Sequence, residues 1–95
     1  MKHAFNAQLQ VQFLKQGKYT VAYSPALDIS TSGKNQTQAR KRFAELANIF
    51  IREIMERGTA HQILTELGWT HRAHAGWAPP KMTKSPVSVR IPVAA

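Results

Sequence analysis

Hydrophobic and polar residues alternate at the start of the chain. Between residues 5 and 13 every odd position is apolar, namely Phe5, Ala7, Leu9, Val11 and Phe13, and every even position is Asn or Gln. Because successive side chains of a strand point to opposite faces, this two-residue period predicts a half-buried strand. It is the first of four predicted strands.

A glycine-containing turn at residues 15–18 separates this strand from a second alternating stretch. There Tyr19, Val21 and Tyr23 alternate with smaller residues, which predicts the second arm of a β-hairpin ending at Pro25. Residues 26–30, in which Leu27 and Ile29 share one face, then predict a short third strand, followed by a turn at residues 31–34.

The period changes to three and four residues after Asn35, which predicts one long amphipathic helix ending near Arg57 and Gly58. Asn35 is the expected N-cap, and Gln38 stands where a capping box requires a polar side chain. Gly68 is expected to end a second, shorter helix. The apolar residues that set the long period are Ala39, Phe43, Leu46, Ala47, Phe50 and Ile54.

Beyond Trp69 the chain becomes rich in Ala, Gly, Pro, Lys and His, so residues 70–86 are expected to form a linker with little regular structure. Residues 87–93 alternate again, and Pro92 on the polar side indicates an edge strand. The fold class predicted is α+β: a three-stranded antiparallel sheet and a C-terminal edge strand, packed on one long and one short helix. Residues 1–70 form the core, and residues 71–95 are the linker and C-terminal strand of the same domain.

The composition argues against several classes of function. With 95 residues the chain is one small domain, and it contains no cysteine for a disulfide, a thiolate metal site or a thiol nucleophile. No apolar run is long enough to span a bilayer, and no signal peptide is recognisable, so a cytoplasmic protein without membrane contact is expected.

Residues suited to catalysis are scarce. The acids are Asp28 and four glutamates on the predicted helices, where Lys41, Arg52 and Arg57 are spaced to pair with three of them. His71 and His74 have the spacing of zinc ligands, but no third ligand lies near them in the sequence. We therefore predict no enzyme activity, no cofactor and no metal.

The chain contains thirteen Lys and Arg and five Asp and Glu, which gives a net charge of +8. This excess of positive charge favours an anionic partner. Along the sequence this charge is spread over the strands, the long helix and the tail. Its one local concentration is Arg40, Lys41 and Arg42 in the first turns of the helix, where Lys34 also lies close by. These four residues are the candidates for binding a partner or an anion.

The two tryptophans are further candidates. Trp69 directly follows a helix-ending glycine, so it is either a hydrophobic plug that closes the helix against the core or an interface anchor. Trp77 lies in the predicted linker and is either an interface residue or part of a loose segment.

The stretch from Tyr19 to Gly33, with its Pro25-Ala26-Leu27 step and its Thr31-Ser32-Gly33 turn, resembles the signature of the HicB family of antitoxins. Ala39 near the start of the long helix and Glu66-Leu67-Gly68-Trp69 at the end of the second also fit. The resemblance covers about residues 5–70. It implies a truncated RNase-H-like fold without catalytic carboxylates.

The same resemblance implies a non-catalytic antitoxin that forms a homo-oligomer, a dimer or a tetramer, and neutralises a HicA-type toxin that cleaves RNA. The rival expectation is a stand-alone basic relative that binds nucleic acid directly. The strand predicted at residues 87–93 suggests that two copies pair through it.

Overall fold

The computed structural model describes residues 7–74 and 76–93 and confirms the α+β class. Within these residues a three-stranded sheet, two helices and a small two-stranded sheet follow one another along the chain. The elements are β1 Gln12–Gln16, β2 Tyr19–Ser24, β3 Ile29–Gly33, α1 Gln36–Glu56, α2 Ala60–Glu66, β4 Thr70–Arg72 and β5 Gly76–Ala78.

The larger sheet has the order β1-β2-β3, and both pairings are antiparallel, as the hairpin pattern predicted. Phe13 of β1 and Thr31 of β3 flank Ala22 of β2 in this register. The first strand is shorter than predicted, because β1 starts only at Gln12. Tyr23 pairs with Gln12, and β2 ends one residue later at Ser24, so residues 7–10 have no strand residue opposite them. Residues 5 and 6 of the predicted strand lie outside the described part.

Strand β2 turns its smaller side chains toward the helix. Thr20, Ala22 and Ser24 are buried, whereas Val21 and Tyr23 are only half-buried on the opposite face of the sheet. The reason is the close approach of α1, which packs on β2 and β3. A Cβ atom added to Gly33 would lie 2.6 Å from the backbone nitrogen of Ala39, so no side chain fits between β3 and α1 at this position.

Helix α1 begins and ends where the periodicity predicted. The Asn35 side chain accepts a hydrogen bond of 2.8 Å from the Gln38 backbone N–H, and the helix stops before Gly58, whose φ of 71° is left-handed. Ala39, Phe43 and Ile54 are its buried residues. No helix of the described residues is both long and apolar enough to cross a membrane.

The predicted second helix is confirmed as α2, and it packs its Leu64 into a core with Ala26, Leu27, Ile54 and Trp69. Beyond it the structure corrects the sequence-based interpretation twice. Part of the expected linker forms the β4–β5 hairpin, in which His71 pairs with Trp77. The expected edge strand at residues 87–93 is not paired with any strand in the part of the chain that is described.

Candidate functional site

Positive side chains from three separate stretches of sequence lie at one end of the molecule. Because β1, β2 and β3 are antiparallel, the β1–β2 turn, the end of β3 and the start of α1 all lie at the same end of the sheet. Six exposed cationic residues are found there, and we call them the basic end: Lys15, Lys18, Lys34, Arg40, Lys41 and Arg42.

The acidic residues lie elsewhere. Asp28 is in the turn between β2 and β3, at the opposite end of the sheet. Glu45 is one helical turn beyond Lys41, and Glu53 is roughly 20 Å further along the axis of α1 than Arg40. The antiparallel topology thus gathers six of the thirteen Lys and Arg residues at one end of the sheet, although they are separated along the chain.

Two of the three predicted glutamate pairs are also not formed. Among the described residues, the ion pair present joins Glu53 to Arg57 at 2.9 Å. Lys41 is consequently available to a ligand, and its neighbour Glu45 does not neutralise it through a direct contact.

The arginines of the basic end are held by the sheet. The Arg42 guanidinium donates a hydrogen bond of 3.0 Å to the Ser32 carbonyl oxygen, and the Arg40 guanidinium carbon lies 5.1 Å from the centre of the Phe13 ring. The backbone N–H of Lys34 donates to the Gln38 side chain at 2.7 Å, which fixes the chain where it enters the helix. These contacts orient the positive groups before any partner arrives.

A shallow groove of about 180 Å³ lies between the hairpin and the start of α1. Lys15 and Lys34 flank it, and Leu14 is 52% exposed beside it. Tyr19 at the start of β2 is 56% exposed. Leu14 and Tyr19 share the sheet face of Val21, which is turned away from α1, so they lie at the same end as the cations but on the other face. The groove is lined by Phe13, Leu14, Lys15, Thr20, Lys34, Asn35 and Gln36.

The two tryptophans have different positions. Trp69 is 7% exposed, and its indole Nε1 donates a hydrogen bond of 2.8 Å to the Ala26 carbonyl oxygen, so we assign it to the core and not to a binding surface. Trp77 is half-buried in β5 and packs against the same core, so it is not part of a loose linker.

An aromatic cluster that the sequence did not reveal surrounds Trp77. Its indole lies 4.8 Å from the His71 ring and 5.3 Å from the His61 ring, centre to centre. His71 is therefore matched with a histidine of α2 as well as with the tryptophan across the hairpin. The spacing in the sequence had suggested His74 as the partner of His71. The β4–β5 register, which depends on tertiary structure, places Trp77 opposite His71 instead. The described residues contain no group of three or more His, Cys, Asp or Glu side chains that could hold a metal ion.

A second surface is apolar. The segment from residue 81 to residue 93 is extended and exposed throughout, and we call it the C-terminal arm. Val87, Val89, Ile91 and Val93 are 72–95% exposed, and the molecule measures 63 × 29 × 21 Å. Aliphatic side chains in such a row are a common feature of protein contacts.

Comparison with known proteins identifies a different family from the one that the sequence motifs suggested. The sequence model of the family described as Phage T7 protein 4.7 matches residues 32–90, well over half of the chain. No curated protein and no solved structure matches the chain.

This match overturns the resemblance to HicB antitoxins, and with it the expected neutralisation of a HicA-type toxin. The rival expectation of a stand-alone HicB-like protein that binds nucleic acid directly has no support either. The Pro25 to Gly33 motif misled because it describes a tight turn and a short strand before a helix, which is local geometry open to unrelated α+β proteins. The chain belongs to the Phage T7 protein 4.7 family.

Proposed function

We propose that this protein acts by binding, without catalysis, and that its basic end recognises an acidic surface on another protein. The observation that carries the proposal is the convergence of six Lys and Arg side chains from three stretches of sequence, with no carboxylate among them. Like charges gathered on one small surface repel one another, and an anionic partner relieves that repulsion.

The composition of the basic end favours a protein as the partner. Arg40 and Arg42 are already oriented by Phe13 and by the Ser32 carbonyl. At the same end of the sheet, Leu14 and Tyr19 expose apolar and aromatic area on the face turned away from α1. Tyr and Arg are enriched at the centres of protein interfaces, where apolar contact and charge act together. A surface of this kind fits a carboxylate-rich partner that also has apolar side chains.

The contacts of the acidic residues support a non-catalytic role. The Asp28 carboxylate accepts a hydrogen bond of 3.0 Å from the Tyr23 hydroxyl, Glu53 pairs with Arg57, and Glu66 accepts from Gln62 at 3.3 Å. Each of these carboxylates thus has a structural partner. The proposal accordingly assigns no catalytic residue, cofactor or metal to the protein.

The cytoplasm is the compartment that we propose for this binding. The family takes its name from a protein of a bacteriophage, and phage proteins are synthesised in the cytoplasm of the infected cell.

The test uses a tyrosine- and leucine-containing peptide rich in Glu, together with the same peptide carrying Gln in place of Glu. We expect the Glu peptide to bind at low salt, and the dissociation constant to rise steeply as salt screens the charges. The double variant Lys34→Glu with Lys41→Glu is expected to weaken binding about tenfold or more, whereas Lys81→Glu with Lys84→Glu is expected to change it less than about threefold.

The two double variants change the net charge equally and differ only in where the charge is placed, so they separate local recognition from bulk attraction. Equal losses in both, or no binding of the Glu peptide at low salt, would overturn the proposal. An oligonucleotide of matched charge that binds more tightly than the peptide, and loses that binding in the Lys34 and Lys41 variant, would also overturn it.

A further inference from the structure

The C-terminal arm has the sequence of a strand but no strand beside it. Val87, Val89, Ile91 and Val93 fall on one side of an extended backbone, with Ser88 and Arg90 on the other. In one copy of the chain the aliphatic side chains meet solvent, at 72–95% exposure. An alternating pattern of this length is typical of a strand that is completed by a partner.

The two prolines of the arm leave it with one complete hydrogen-bonding edge. Backbone N–H groups of alternate residues point to the same edge of a strand. Pro86 and Pro92 both occupy even positions, so both missing N–H groups lie on one edge, and the odd-numbered residues keep all of theirs on the other. The arm is therefore suited to pair through one edge only and to become the outermost strand of a sheet.

Strand β1 offers the matching edge. Within the described residues it pairs with β2 alone, which leaves its other edge without a strand. Helix α1 lies mainly over β2 and β3, so Leu9, Val11 and Phe13 on the helix side of the β1 segment are only half-buried. A groove of about 620 Å³ is lined by residues 10–13, by Pro25 after β2 and by residues 82–84 of the same chain, so the start of the arm already lies beside the β1 segment.

We propose that two copies of the chain exchange arms: residues 87–93 of one copy add to the outer edge of β1 in the other, and the aliphatic side of the arm covers Leu9, Val11 and Phe13. The arrangement is reciprocal, as a two-fold dimer requires. Pro86 and Pro92 then lie on the new outer edge, where their missing N–H groups block the addition of further copies.

The area available fits a stable dimer. The four aliphatic side chains of one arm expose on the order of 500 Å², and two arms on the order of 1,000 Å², before the receiving β1 surfaces are added. With the receiving β1 surfaces added, the total area buried by two exchanged arms lies within the range of stable interfaces, roughly 1,200–2,000 Å². Each arm is short, so neither copy would be held by one exchange alone.

The salt dependence of dimerisation should differ from that of binding at the basic end. Both copies carry +8, so added salt screens their mutual repulsion and is expected to strengthen the dimer. Binding of an acidic partner at the basic end responds to salt in the opposite sense. The failure of one proposal is therefore distinguishable from the failure of the other.

Sedimentation of the full chain over a concentration series, at low and at raised salt, measures the dimer directly. We expect the double variant Val89→Lys with Ile91→Lys to weaken dimerisation about a hundredfold. A charge-matched pair is Val89→Lys and Ser88→Lys, which each add one positive charge, on the aliphatic and on the polar side of the arm respectively. The first should weaken dimerisation, and the second should dimerise like the parent chain. All of these residues are exposed in one copy, so the thermal unfolding midpoint of the monomer should not change.

The absence of cysteine in the chain permits a second readout. Chains carrying Val11→Cys are mixed with chains carrying Val89→Cys, and oxidation is expected to join the two kinds in one disulfide-linked dimer. Ile49→Cys, on an exposed face of α1, should join Val89→Cys only at the background rate. A monomer at every concentration, or a dimer that survives the Val89 and Ile91 variant and cross-links equally through Ile49, would overturn the proposal.

Discussion

The indole Nε1 of Trp69 donates a hydrogen bond of 2.8 Å to the carbonyl oxygen of Ala26, a residue 43 positions earlier in the chain. Both residues are buried, and this contact ties the turn after β2 to the end of α2. It thereby couples the sheet to the C-terminal half of the fold.

Removing this hydrogen bond should destabilise the protein without unfolding it. Trp69→Phe leaves the buried Ala26 carbonyl without its donor, so the free energy of unfolding should fall by about 1–3 kcal/mol. Trp69→Ala also empties the site and should cost about 3–5 kcal/mol. Urea unfolding followed by circular dichroism measures both. Trp77→Phe is the control, and an equal loss there would show that the Ala26 contact contributes nothing particular.

The contact between Gly33 and α1 should tolerate no side chain. In Gly33→Ala the new Cβ would lie 2.6 Å from the Ala39 nitrogen, so β3 and α1 must separate. We expect a loss of about 1–3 kcal/mol in the free energy of unfolding. Ser32→Ala is the matched control, since it keeps the backbone carbonyl that Arg42 uses. A Gly33→Ala protein as stable as this control would contradict the close packing.

The N-cap of α1 should respond to charge as well as to hydrogen bonding. Asn35→Ala removes the acceptor for the Gln38 N–H and should cost about 1 kcal/mol. Asn35→Asp keeps the acceptor and adds a negative charge to a first turn that contains no acidic residue, so it should stabilise by about 0.3–1 kcal/mol. Thermal unfolding at low and high salt tests the pair, because only the gain from Asp should be screened. Gln36→Ala serves as the control for general helix propensity.

Ser24 should be replaceable by alanine at no cost. Its Oγ atom is buried and has no hydrogen-bond partner among the described residues. A buried hydroxyl without a partner is unfavourable, so Ser24→Ala should leave stability unchanged or raise it by about 1 kcal/mol. The reverse change at the neighbouring helix-facing position, Ala22→Ser, should lower it. Chemical unfolding of both variants decides, and a clear loss in Ser24→Ala would mean that the hydroxyl has a partner in solution.

The phenol of Tyr23 should ionise late. The hydrogen bond that Tyr23 donates to Asp28, with partial burial and the negative charge of that carboxylate, raises the pKa of Tyr23 above its usual value of 10.0. A pKa raised by folding contributes stability that is complete below the pKa of the unfolded chain and is lost as the pH rises through the folded value. The free energy of unfolding should therefore decrease at pH above 10.0.

Ultraviolet titration of tyrosinate in the parent and in Tyr23→Phe isolates this group by difference. Asp28→Asn should bring the pKa of Tyr23 back toward its usual value, because it removes the charge that disfavours the phenolate. Asn accepts the left-handed conformation of residue 28, whose φ is 54°, so the backbone need not change. An unaltered Tyr23 titration in Asp28→Asn would exclude the carboxylate as the cause.

The local elements of this protein follow from short-range patterns in its sequence. The Asn35 cap, the period of three and four residues and Gly58 specify α1 to within a residue or two, because they act through contacts within the helix. The β1–β2 hairpin was likewise predictable from Gly17 and the alternation on either side of it. The basic cluster at Arg40 to Arg42 was visible as sequence.

The contacts between these elements depend on the tertiary structure. It turned Thr20, Ala22 and Ser24 toward the helix instead of the larger residues between them, because α1 approaches too closely for larger side chains. It also brought Lys15 and Lys18 to the helix start, since antiparallel strands return the chain to the same end of the sheet. For residues 87–93 the alternation predicts a strand. A strand forms only beside a neighbouring strand, and these residues have none within the described part of the chain.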